Sequence, residues 1–460
     1  MAVNKITVAV RAIGFVAVCL ATLMSPAMAQ EEADDQMQMV LDFLADSDRE
    51  MRAIGLQVVR EGEPGEEATK KFAEQLPKIS PAGQADLMDA LASRGDVAAR
   101  PAIVALMESE DAKVRAAVIR ALGFLGNAED VAALVGTIAR GSESEKKLAR
   151  ASLVKLPDKT TNSAIITAMT DGDSADQAEL LAILAGRNAK ETIPEVLEYS
   201  EARVQSVRLA AMNALRTLAG EEQAPRLVEM LKKAKPGAEK QKAELALLAV
   251  CGTVGESSAA TVIAGIEGSD PATRAALLRA LARTGGAEAL KTVAAAFKDE
   301  DAQVADQAAR TLAGWGEGDV ESHLREMAAG DNRRHKTLAL RGLLRLAEPG
   351  VEKPANMELL AEVMKLADRP ADKLLVVGSY SRLDDPESLK QVVAAMDIEE
   401  LADGAALAVV GMAERIATAG DDAEKTIDNE QLKAALQKAK SATKSQPVID
   451  RAAKALESLK

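Results

Sequence analysis

The sequence predicts an all-α protein built from stacked two-helix repeats, and three observations carry that reading. The pair Ala121-Leu122 returns with tolerant substitutions at Ala90-Leu91, Ser152-Leu153, Ile183-Leu184 and Ala214-Leu215, always 31 residues apart. After one 36-residue step to Val250-Cys251 it resumes at Ala280-Leu281, Thr311-Leu312 and Gly342-Leu343, with steps of 30, 31 and 31. Around Leu122 the apolar residues Val114, Ala117, Val118, Ala121 and Leu125 recur at spacings of three and four, the period of one helix face. Aromatic residues make up only 2% of the chain, so Ala and Leu must fill the interior, and the β-branched and aromatic enrichment of strands is missing. A period near 31 overrides the two or three domains that 460 residues would otherwise suggest, because stacked repeats share one core. The expected fold is an α-solenoid of about twelve two-helix repeats.

Residues 1–29 read as a signal peptide. Lys5 and Arg11 form a positive front, Ala12 to Leu23 is an apolar run, and Ala27-Met28-Ala29 has the small-x-small form cut by a signal peptidase. The run is shorter than the roughly 20 residues of a membrane span, and Val18 before Cys19 does not suit lipidation. Cleavage before Gln30 is expected, giving a periplasmic or otherwise extracytoplasmic protein with no remaining span. Losing Lys5 and Arg11 and no acidic residue moves the formal charge from −14 to −16. That acidity opposes a nucleic-acid role, since Lys and Arg neutralising phosphates supply most such affinity. Cys251 becomes the sole cysteine, so no disulfide within the mature chain is expected.

The mature chain opens on Glu31-Glu32-Ala33-Asp34-Asp35, too polar to bury. Ser47 to Val59 then repeats the pattern of the 111–126 unit in degraded form, as terminal repeats do. In that unit Asp111 is the expected N-cap and Gly126 the expected stop. A second helical run, Val131 to Ile138, lies between one Ala-Leu helix and the next, and its counterparts are Ile165–Met169, Ile193–Leu197, Ala224–Leu231, Ala259–Ile266 and Ala289–Phe297. Each period is therefore two antiparallel helices and two turns, and stacking against neighbours closes a core that no single pair could close. Pro101 sits early in its helix, where a missing N–H costs little. Two longer steps hold the Lys-rich stretch Leu231–Lys242 and the Pro-rich stretch Glu348–Asn356, expected on opposite rims. The repeats occupy residues 30–430. Residues 431–460 form two basic amphipathic helices, with seven Lys or Arg against Asp450 and Glu457, expected to cap the stack.

The segment D-A-K-V-R-A-A-V-I-R-A-L-G-F-L-G from Asp111 to Gly126 resembles the second helix of a HEAT-type repeat in its short bacterial form, and the resemblance covers about residues 40–430. Its D-x-x-x-R recurs at Asp48-Arg52 and Asp270-Arg274, while Asp173 and Asp301 face Gln177 and Ala305 instead. The resemblance implies an Asp-Arg ladder between neighbouring turns and a concave surface lined by the second helices. Some proteins of this architecture are enzymes. The His-Glu pairs of deoxyhypusine hydroxylase are missing, since Leu324 follows His323 and Lys336 follows His335. The basic, aromatic groove of alkylpurine DNA glycosylases is opposed by charge and composition, and bilin lyases work in the cytoplasm whereas this chain reads as exported.

Catalytic constellations are equally sparse. His323 and His335 lie twelve apart, without H-E-x-x-H spacing, a cysteine pair or a C-x-x-C-H haem site, and no G-x-S-x-G elbow exists. Gly285-Gly286 and Trp315–Asp319 are turn signals, because a phosphate loop needs a preceding strand. Cys251 stands where the repeat has Leu and reads as core. No cofactor or metal is expected.

The sharpest local signal is an arginine series: Arg120, then Arg279, Arg310 and Arg341, the last three 31 apart in equivalent helices. Stacking at the roughly 8–10 Å of packed helices aligns them. Arg274, Arg283, Arg333, Arg334 and Arg345 lie nearby, and residues 270–345 carry twelve basic and eleven acidic side chains, near neutral within an acidic chain. The candidate partner-binding residues are Arg274, Arg279, Arg310, Arg341 and Arg345. The expected function is a non-catalytic, exported scaffold holding a protein or acidic polymer on its concave face, and the alternative is an enzyme of lyase or cofactor-handling type on the same framework.

Overall fold

The computed structural model describes residues 26–62, 65–157, 160–316, 319–350, 354–418 and 427–459. The basic front and apolar run of the expected signal peptide lie outside the described residues, as do parts of the loops at 63–64, 317–318, 351–353 and 419–426. Among the described residues there is no strand. By internal packing they divide into two compact units: the chain up to Ala219 with Lys235–Ala246, and Gly220–Ala234 with Leu247 to the C-terminus.

In the first unit α1 (Pro26–Ala45) pairs with α2 (Arg49–Glu61), α3 (Glu66–Ala73) with α4 (Pro81–Arg94), and α5 (Arg100–Val104) with α6 (Ala112–Leu125). The pattern continues as α7 (Val131–Arg140) with α8 (Glu143–Lys155), α9 (Thr161–Asp171) with α10 (Ser174–Gly186), and α11 (Ile193–Tyr199) with α12 (Gln205–Leu218). α13 (Ala224–Lys233) belongs to the second unit, and α14 (Ala238–Val254) supplies residues to both. The second unit proceeds through α15 (Ala259–Ala264), α16 (Pro271–Thr284), α17 (Ala287–Ala296), α18 (Ala302–Ala313), α19 (Val320–Ala329) and α20 (Arg333–Ala347). It ends in α21 (Met357–Leu366), α22 (Pro370–Tyr380), α23 (Pro386–Ala395), α24 (Glu399–Thr418), α25 (Asn429–Ala442) and α26 (Gln446–Ser458). Within each unit even-numbered helices stack on even-numbered ones, as α4 on α6 on α8 and α16 on α18 on α20, with odd-numbered helices forming the second layer. The fold is the α-solenoid that the period predicts.

The repeat position explains the packing residue by residue. Leu91, Leu122, Leu153, Leu184, Leu215, Cys251, Leu281, Leu312 and Leu343 are all fully buried, and their N-terminal neighbours from Ala90 to Gly342 are buried as well. In α6 every member of the predicted stripe is buried, and Ile119 joins it. Asp111 caps that helix by accepting from the Lys113 and Val114 amides at 2.7 and 3.3 Å, and Gly126 ends it with its N–H on Leu122 O in extended backbone. Gly342 permits close approach: a Cβ there would stand 3.0 Å from Leu324 Cδ1 and 3.1 Å from Ala313 O.

The D-x-x-x-R motif works differently from a simple Asp-Arg ladder. Its Asp caps its own helix, while Arg115 Nη1 donates to Ser109 O and Glu110 O in the turn before the helix, at 2.7 and 3.0 Å. Arg115 Nε reaches Glu145 of the next repeat at 2.8 Å. Arg208 repeats both contacts, on Ala202 O and Arg203 O and on Glu239. The arginine staples a turn and the neighbouring repeat together, and the aspartate fixes where the helix begins.

By length and composition the stretch Ala238–Ala264 would suffice to cross a membrane. Gly255, at φ +71°, breaks it between α14 and α15, a backbone region that glycine alone enters cheaply. Ala243, Ala246, Leu247, Val250, Cys251 and Val262 are buried within the protein.

Candidate functional site: the arginine register of α16, α18 and α20

The N-caps set the register of the candidate surface. Asp270 accepts from the Thr273 amide at 3.0 Å, Asp301 from Gln303 and Val304 at 2.9 and 3.2 Å, and Asn332 from Arg334 and His335 at 3.0 and 3.2 Å. Each satisfies amides that the first helical turn leaves without partners. Arg279, Arg310 and Arg341 each lie nine residues beyond their cap, so the three stand at one height on three successively stacked helices. Next to each on the chain is a seam residue, Ala280, Thr311 or Gly342, which is buried. That seam fixes the helix rotation, and the arginines sit at its edge: Arg279 half-buried, Arg310 and Arg341 exposed.

The five candidate arginines divide into two groups. Arg274 pairs with Asp299 at 2.5 Å and belongs to the turn-stapling position described above. Arg279 Nη1 donates to Gln307 Oε1 at 2.9 Å. Arg345 Nη2 donates to Trp315 O at 2.5 Å and Ala313 O at 3.3 Å, placing a cation at the carbonyl end of α18, where the helix dipole favours it. Arg310 and Arg341 make no side-chain hydrogen bond or ion pair among the described residues, and they are the members left with open donor forks. Arg310 borders an open depression of about 450 Å3 shared with Arg279, Gln303, Asp306 and Gln307.

Asp306, which the sequence did not single out, is held from the next helix. Arg334 Nη1 donates to its Oδ2 at 2.6 Å, and His335 Nε2 lies 2.7 Å from its Oδ1. The buried His335 ring also meets Phe297 at 5.3 Å between centroids, tilted by 59°. Both bonds run from α20 to α18 and tie the two helices together beside the depression. His323 stands half-exposed on α19.

The first unit shows the same register in another state. Asp89 lies nine residues beyond the cap Ser80, and Arg120 nine beyond Asp111, on the stacked helices α4 and α6. Arg120 Nη2 reaches both Asp89 oxygens at 3.1 and 3.0 Å, with Nε 3.3 Å from the first. An arginine at this position therefore spans one repeat and forks onto a carboxylate at the equivalent position. The signal for this pair was present in the 31-residue step between Asp89 and Arg120.

Residues 69–154 and 259–344 match the family model for HEAT repeats. Those two stretches resemble HEAT repeats. The first contains Asp89 and Arg120, the second Arg279, Arg310 and Arg341, and the chain as a whole resembles HEAT-type repeat proteins. No curated protein matches it. Among solved structures it is similar to the karyopherin Kap121p bound to the extreme C-terminus of the protein phosphatase Cdc14p, at 12% identity and a TM-score of 0.48, over 92% of this chain and 53% of that one. It is also similar to Kap121p bound to Nup53p, at 11% identity and a TM-score of 0.47, over 98% of this chain and 56% of that one. The chain spans little more than half the length of these karyopherin chains.

Proposed function

We propose that the protein is an exported, non-catalytic scaffold that holds a protein partner along the even-numbered helices α16, α18 and α20. One observation carries the reading: Arg310 and Arg341 are exposed, without a partner, and at the same register of adjacent stacked helices. Elsewhere in the molecule arginines on the stacked helices commonly find a carboxylate one repeat away, as Arg115 finds Glu145, Arg150 finds Glu179 and Arg120 finds Asp89. Two open forks in sequence along the stack form a surface whose complement lies outside the described residues. The resemblance to HEAT repeats supports reading this surface as the concave side.

The test is capture of the native partner from the cell envelope, with Arg279, Arg310 and Arg341 all changed to Glu. Helicity and melting stay close to wild type, because Arg310 and Arg341 lie off the buried seam, while proteins that copurify with wild type are lost. The control changes Lys232, Lys233 and Lys235 to Glu, an equal charge change at the end of α13 and in the loop after it. Undiminished capture by both variants would place recognition elsewhere. Intact-mass measurement of the native protein tests export: a mature start at Gln30 is expected, and a cytoplasmic chain beginning at Met1 would refute it.

A further inference from the structure

The contrast between the two units at one register names the chemistry of the partner. In α4 and α6 that position holds Asp89 and Arg120, and the arginine forks onto the aspartate across one repeat. In α16, α18 and α20 it holds arginine three times, so the carboxylate that completes the fork in the first unit has no equivalent. The nearest acid on α18, Asp306, lies one turn before Arg310 and is already taken by Arg334 and His335.

We infer that Arg310 and Arg341 bind side-chain carboxylates of an extended acidic polypeptide, in the fork geometry that Arg120 makes with Asp89. This rests on the binding-scaffold reading above and commits it to one class of partner. Two features favour a polypeptide over a phosphate or sulfate polymer. First, the field is discrete rather than dense: residues 270–345 carry twelve basic and eleven acidic side chains, so a ligand held by charge density finds little net attraction. A planar guanidinium instead rewards a carboxylate placed in its plane. Second, the depression beside Arg310 presents the Gln303 amide, which both donates and accepts and so matches the N–H and C=O of a peptide backbone, while the Gln307 amide is held by Arg279 and Thr311.

The spacing follows as well. Packed helices stand roughly 8–10 Å apart, and a polyproline II chain rises about 3.1 Å per residue with three residues per turn, bringing every third side chain to one face about 9 Å further on. Acidic residues at i and i+3 match two successive forks. Acids at adjacent positions do not.

The test uses the mature chain and three probes at about physiological salt: a fluorescent peptide of repeated Glu-Pro-Pro, its Gln-Pro-Pro counterpart, and long-chain polyphosphate as competitor. Anisotropy is expected to show binding of the Glu peptide alone, with no displacement by polyphosphate at equal charge concentration. Arg310→Lys with Arg341→Lys keeps the charge and loses the fork, and is expected to weaken the Glu peptide at least tenfold. Circular dichroism of the variant checks that the helices remain. Polyphosphate that competes as well as the peptide, with the Lys variant binding like wild type, would show a charge-density site and overturn the inference. So would absence of binding by the Glu peptide. Either outcome leaves the envelope capture free to succeed, so the two readings fail separately.

Discussion

Leu122 and Arg120 sit two residues apart on α6 and face different surroundings, so substituting each with alanine tests the assignment of the helix face. Leu122 is 1% exposed, inside the seam where α6 meets α4 and α8. Leu122→Ala removes three carbons, worth about 2 kcal/mol in transfer at roughly 0.8 kcal/mol per methylene. The cavity left in a packed seam raises the cost to about 2–5 kcal/mol. Arg120 forms a bidentate bridge to Asp89, but the two side chains are 40% and 45% exposed, and screened pairs of this kind contribute about 0–1 kcal/mol. A repeat protein with two compact units does not unfold as one all-or-none body, so the suitable assay is hydrogen exchange followed by mass spectrometry over residues 112–125. Leu122→Ala should accelerate exchange there by roughly 30-fold or more, and Arg120→Ala by no more than about fivefold, since 1.4 kcal/mol is a factor of ten. Equal acceleration by the two changes would refute the assignment of Leu122 to the buried face of α6 and Arg120 to the exposed one.

Asp111→Ala removes the cap on the Lys113 and Val114 amides and should cost about 0.5–2 kcal/mol, read as faster exchange confined to the start of α6. Gly342→Val places branched atoms where a Cβ already stands 3.0 Å from Leu324 Cδ1, and should cost about 1–3 kcal/mol of overpacking in α18–α20, with a melting point unchanged from wild type as the contrary result. Glu145 accepts from the Ser142 hydroxyl and amide and pairs with Arg115, which holds its carboxyl below the usual glutamate range. A carboxylate depressed on folding stabilises the fold above its unfolded value of about 4.3, and that contribution is lost as pH falls through the folded value. Wild type should therefore lose melting temperature steeply below about pH 4, and Glu145→Gln should show a shallower fall; parallel curves would assign acid lability to other carboxylates, such as Glu239 beside Arg208.

The fold was legible because it depends on residues whose meaning is local. Periodicity at 31 and a stripe at three and four specify which face of each helix is buried, and the structure buries every Leu position of the series, with Cys251 packed as the leucines are. Asp111 announced its cap because the bonds it makes lie two and three residues ahead. The binding surface was legible only in part, because an arginine's partner lies about 25–37 residues away on a neighbouring repeat and depends on how the helices are rotated. Arg274, Arg279 and Arg345 look like Arg310 and Arg341 in the sequence, yet they are engaged by Asp299, Gln307 and the carbonyls of Ala313 and Trp315. The same gap hid Asp306, whose role comes from Arg334 and His335 across the α18–α20 contact.

Height on the helix decides which groups can answer an arginine. At the start of an even-numbered helix an arginine faces the carbonyls of the preceding turn and the first residues of the next repeat, and Arg115, Arg208 and Arg274 all find acids there. At its end an arginine faces the exposed carbonyls of the neighbouring helix, which receive Arg94, Arg187, Arg345 and Arg415. Midway, nine residues past the cap, the backbone carbonyls are spent within the helix, so only a side chain can answer a guanidinium. Asp89 answers Arg120. Arg310 and Arg341 have arginine as the equivalent neighbour, and the geometry that leaves them open is the geometry that makes them recognisable to an acidic chain laid across the stack.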